Sequence, residues 1–71
     1  MEKKISISYD KEADVMYMSF GDPVNSEAEE VESGVFARFN PNTKELTGLT
    51  VLNFSKKFDV KPREVLIPMA R

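Results

Sequence analysis

The run Val15-Met16-Tyr17-Met18-Ser19-Phe20 limits what this chain can fold into more than any other stretch. It has the length and aromatic content of a strand. In an extended backbone Met16, Met18 and Phe20 point one way while Val15 and Tyr17 point the other. A strand that is apolar on both sides belongs in the middle of a sheet whose two faces are both covered. With 71 residues, the chain buries only about 60% of its unfolded surface and needs reinforcement. Cysteine and histidine are absent, which removes disulfides, thiolate chemistry, haem attachment and the common zinc spacings. A partner subunit is the most available reinforcement left. The expectation is a two-fold homodimer closed over the sheet face that carries Val15, Tyr17 and Phe36.

Around that run the chain reads as short strands and polar turns. Ile5, Ile7 and Tyr9 alternate with Ser6 and Ser8, the pattern of a half-buried strand. Residues 10–14, Asp-Lys-Glu-Ala-Asp, form a polar turn. Gly21-Asp22-Pro23 is another turn signal. The acidic segment 25–32 reads either as a short helix, with Ser26 and Glu29 spaced as a capping box, or as a charged edge strand; the edge strand is favoured. Val35 to Phe39 and Leu46 to Leu52 are further strands, joined by the polar loop 40–45. Gly48 marks a bulge or a close packing contact. Asn53 or Ser55 is expected to cap a short helix carrying Phe54 and Phe58 on one face. Val65-Leu66-Ile67 is a final strand or an arm laid on a neighbour.

The order and spacing of these pieces resemble the small bacterial and archaeal domain-of-unknown-function family 2283. The matching residues are Ile7-Ser8-Tyr9-Asp10, Glu12-Ala13-Asp14, Met16-Tyr17-Met18, Glu29-Glu30-Val31, Gly34-Val35, and Leu49 to Leu52 followed by Asn53-Phe54-Ser55. The resemblance implies an α+β, mainly β fold: an antiparallel β-meander of about four to six short strands with one short helix near the C-terminus. The length of the chain suits a single domain over 1–71; the resemblance covers a core at 5–58 and leaves a C-terminal arm at 59–71 outside it. It brings no catalytic or cofactor residues. Similar proteins are thought of as antitoxin-like, an association that comes from the resemblance alone. Lys11 stands where such sequences often have a turn proline, and Asn53 where they have an acid near the helix start.

The residues argue against most chemistry. Asp10, Glu12 and Asp14 alternate like the start of a calcium loop, but the sixth and twelfth positions are Val15 and Gly21, not Gly and Glu. Tyr9, Tyr17, Phe36 and Phe39 suit a small core better than a stacking platform for RNA. Ser55 beside Lys56 lacks the base and orienting group that activate a nucleophile. No enzyme, metal or cofactor is therefore expected. No segment has the roughly 20 apolar residues that span a bilayer, and a cytoplasmic protein is expected.

Charge is uneven along the chain. Residues 1–53 carry five Lys or Arg and ten Asp or Glu, while 54–71 carry five and two, giving −5 and +3 for a net −2. Glu27, Glu29, Glu30 and Glu32 are the candidate surface for a small basic protein partner. The expected function is a non-enzymatic protein–protein interaction domain. The alternatives are a nucleic-acid-binding regulator using Lys56, Lys57, Lys61, Arg63 and Arg71, and a binder of a metal or small ligand.

Overall fold

Short-range hydrogen bonds at the turns set where each strand starts and stops. A computed structural model describes residues 4–22, 24–58 and 64–70 of the chain. Asp10 Oδ1 accepts the amides of Glu12 and Ala13, both at 3.1 Å, which folds β1 (Ile5–Asp10) onto β2 (Val15–Phe20). β3 (Glu27–Glu32) and β4 (Val35–Phe39) are joined by Ser33 and Gly34. Gly34 lies at φ 78°, where a side chain is strained, and Glu30 Oε2 accepts its amide at 3.1 Å. Asn40 Oδ1 accepts the amides of Asn42 and Thr43 and turns the chain into β5 (Leu46–Leu52). Each turn thus uses an Asx or glycine device readable from the residues.

The five strands form one antiparallel sheet in the order β1-β2-β5-β4-β3. The mainly β architecture, with one short helix, α1 (Phe54–Lys57), among the described residues, agrees with the sequence reading, and the acidic segment is the edge strand. One step leaves strictly sequential order. β5 returns between β2 and β4, so the link out of β2 passes two strands to reach the far edge. Three inter-strand steps of about 4.8 Å fall within the reach of a six-residue link of about 20 Å. Ser26 Oγ and Thr47 Oγ1, 2.7 Å apart, hold that link against the start of β5.

Register assigns the side chains to faces. Val35, Ala37 and Phe39 lie opposite Val51, Leu49 and Leu46, and these continue through Met16 and Met18 to Tyr9 and Ile7. This is the core face. Val35, Ala37, Phe39 and Val51 are buried, and Phe39, at 1% exposure, is the largest fully buried side chain. On the opposite face Arg38 lies flat across the sheet. Its Nη2 donates to the Met18 carbonyl at 2.8 Å and to Ser19 Oγ at 3.2 Å, so a β4 side chain reaches over β5 to β2. Gly48 of β5 gives it room, because a Cβ there would fall on the guanidinium. Gly48 is therefore the close contact, and the register shift falls beside it, between Arg38 and Phe39.

Val65-Leu66-Ile67 forms no strand. Val65 and Ile67 are half-buried and Leu66 is exposed, as in an extended arm presenting alternate residues inward. The arm ends against its own sheet: Leu46 N–H donates to the Met69 carbonyl at 2.9 Å, and Ala70 bridges to Glu45.

Candidate functional site

The densest polar cluster joins the first turn to the helix. Asp14 ends the β1–β2 turn at φ 57°. Its carbonyl accepts the Phe54 amide at 3.0 Å. Its carboxylate accepts the Ser55 amide at 3.0 Å and the Ser55 hydroxyl at 2.8 Å, and also the Tyr9 hydroxyl. Asn53, at φ 52°, makes no side-chain cap bond, so Asp14, 41 residues before Ser55 in sequence, does what was expected of Asn53 or Ser55. Phe54 then rests on the Tyr9 ring, centroids 5.8 Å apart, and Phe58 on Phe54 at 5.2 Å.

Hydrogen bonds set the electrostatics of this cluster. The Tyr9 hydrogen bond, followed by the Ser55 amide, holds the Asp14 carboxyl below its ordinary range. The same Asp14 bond, with burial and the Asp14 charge adding to it, raises the Tyr9 hydroxyl. A carboxylate held ionised is a weak base and a phenol held protonated is a weak acid near neutral pH. The arrangement is a clamp that ties a four-residue helix to the sheet. Among the described residues, no three or more acidic side chains are placed to hold a metal ion. Of the three alternating acids read from the sequence, Asp10 serves the turn and Asp14 the helix.

The glutamates of β3 occupy a sheet edge but not one patch. Glu27 and Glu29 lie opposite Phe39 and Ala37, on the core side, whereas Glu30 lies opposite Phe36 on the other face. The register then shifts, and Glu32 pairs with Val35. Glu30 is also tied to the Gly34 amide. Val15, Tyr17 and Phe36 share the face opposite the core, with Tyr17 and Phe36 both paired to Thr50. They differ in what they offer a partner: Tyr17 is 42% exposed, Phe36 is half-buried, and Val15 is only 8% exposed.

The largest surprise is β1. Its alternation suggested half burial, yet all six residues are exposed, with Ile5 at 62% and Ile7 at 64%. These isoleucines lie on the core face, but neither the helix nor the described part of the arm buries them. The signal was available: the strand carries no charge between Lys4 and Asp10, as a guarded edge would. Of the basic residues, Lys57 Nζ donates to the Ser33 carbonyl at 2.6 Å and Lys56 lies exposed on the helix. Lys61, Arg63 and Arg71 lie outside the described residues. Among the described residues no helix is long and apolar enough to cross a membrane.

Comparison with curated proteins and with solved structures finds no match. One family model, for a protein of unknown function (DUF2283), matches residues 6–55. That span runs from β1 through the Asp14–Ser55 clamp and includes every strand pairing of the sheet. The chain belongs to the DUF2283 family.

Proposed function

We propose that this domain acts by protein–protein contact rather than by chemistry, and that its β3 edge receives a small basic protein in an antitoxin-like pairing. The observation that carries the reading is the placement of Glu27, Glu29, Glu30 and Glu32 on one edge strand, which pairs with β4 on its inner side. An edge lined with one sign of charge attracts the opposite sign and disfavours its own kind. The commitment of Asp14, Tyr9 and Ser55 to the helix clamp supports the non-enzymatic part.

The test is recovery of the tagged chain from its host at low salt, beside a Glu27→Lys/Glu29→Lys variant whose fold is checked by circular dichroism. The reading expects one small basic protein at near-equal amount. It should be released as salt shrinks the screening length from about 10 Å toward 3 Å, and be missing from the variant. A partner retained by the charge-reversed variant, nucleic acid in its place, or no partner at all would overturn the reading.

A further inference from the structure

The geometry points to β1 as a self-complementary edge that pairs with β1 of a second copy, in one register, about a two-fold axis through Ile7. The outward hydrogen-bonding groups give the first part of the argument. The Lys4 carbonyl accepts the Gly21 amide at 2.6 Å, so the backbone polar groups of Lys4 face β2. In an antiparallel ladder these groups alternate sides residue by residue. The N–H and C=O of Ile5, Ile7 and Tyr9 therefore face away from the sheet, three donors and three acceptors in a row. β3, the other edge, has a register shift and four glutamates. β1 has neither, and an unguarded apolar edge is a template for another strand.

Register is settled by what each pairing brings together. Registers that keep the isoleucines on a common face pair odd-numbered residues with odd ones. Centring the axis on Ile7 places Ile7 against its own copy, Ile5 against Tyr9, and Ser6 against Ser8. The outward groups of Ile5, Ile7 and Tyr9 then meet their counterparts directly. Lys4 of each copy comes opposite Asp10 of the other, so both ends of the ladder close on opposite charges. Moving the axis to Ser6 or Ser8 shortens the ladder and loses both charge pairs. The exposed Ile5 and Ile7 side chains would meet across the axis and extend the core face from one copy into the next. The contact thus moves from the face of Tyr17 and Phe36, where the sequence suggested it, to the edge.

This contact is independent of the acidic edge, and the purified full chain tests it alone. Sedimentation should give about twice the 8.1 kDa of the chain, falling to a single chain in Ile7→Lys, an exposed position that tolerates the change. The chain has no native cysteine, so Ser6→Cys and Ser8→Cys report register cleanly. Facing residues in this kind of pair have Cα atoms about 4.5 Å apart, within disulfide reach of about 4.4–6.8 Å. A mixture of the two variants should cross-link, and neither variant alone. A chain that stays single at high concentration would overturn the inference. So would a dimer that survives Ile7→Lys but is lost in Tyr17→Glu, or cross-linking of either cysteine variant with itself.

Discussion

Gly48→Ala is the sharpest probe of how the open face of the sheet is held. A Cβ at this position would lie on Arg38 Nη2, 2.7 Å from Arg38 Cζ and 2.6 Å from the Met18 carbonyl oxygen. Favourable contacts lie at about 3.5–4.0 Å, so the overlap with the backbone oxygen is roughly 1 Å and no rotamer relieves it. Forcing a methyl group into such a site costs about 1–3 kcal/mol. Arg38 can swing away, but only by giving up its bonds to Met18 and Ser19, a loss of about 1.5–3 kcal/mol for a charged donor. Replacing glycine in a strand returns about 0.5–1 kcal/mol. The net expectation is a loss of about 1.5–5.5 kcal/mol, centred near about 3.5 kcal/mol, against a total stability of roughly 4–10 kcal/mol for a domain of this size. By thermal melting the central value is a fall of roughly 14–28 °C, at about 4–8 °C per kcal/mol. Arg38→Ala and the double variant complete a cycle, in which the double should cost less than the sum because the guanidinium contact is removed only once. A Gly48→Ala protein that melts with the parent would refute the argument.

The helix clamp and the core give two further predictions. Because the Asp14 carboxyl is lowered from 3.8 in the fold, its contribution is present above that value and fades as pH falls through the lower folded one; the Tyr9 contribution, raised from 10.0, is present below 10.0 and fades as pH rises through the higher folded one. Amide spectra should therefore show the Ser55 and Phe54 signals steady between those limits and shifting outside them, and shifted at every pH in Asp14→Ala. Phe39→Ala removes the largest buried side chain among the described residues and should cost about 3–5 kcal/mol, which denaturant titration should read as a midpoint far below the parent's.

Local pattern made most of the fold legible, and the misses share one cause. Alternation along Ile5 to Tyr9 and Val35 to Phe39, and the β-branched content of Leu46 to Leu52, marked strands, and Asp10, Asn40 and Gly34 marked the turns between them. Those signals lie within a few residues of what they determine. The adjacency of β2 and β5 does not, since it depends on matching faces across about 30 residues of chain. The Asp14 clamp was hidden for the same reason: its partner is Ser55, and no local spacing connects a turn residue to a helix cap so far away. Burial was harder still. Alternation in β1 indicates which residues share a face, but not whether anything covers that face, and Ile5 and Ile7 prove uncovered. Among the candidate site residues, the sequence grouped the four glutamates correctly on one strand but gave no view of the shift that places them on different sides.

The claim that this molecule works through the edges of its sheet is tested most directly by amide hydrogen exchange along β1 as a function of concentration. The account predicts that the outward amides of Ile5, Ile7 and Tyr9 exchange freely in dilute protein. They should slow by roughly tenfold or more, the effect of about 1.4 kcal/mol of added stability, as the concentration rises and the edges pair. The amides of Ser6 and Ser8, which face β2, should be protected throughout. Fast exchange at Ile5, Ile7 and Tyr9 at every concentration would contradict the account.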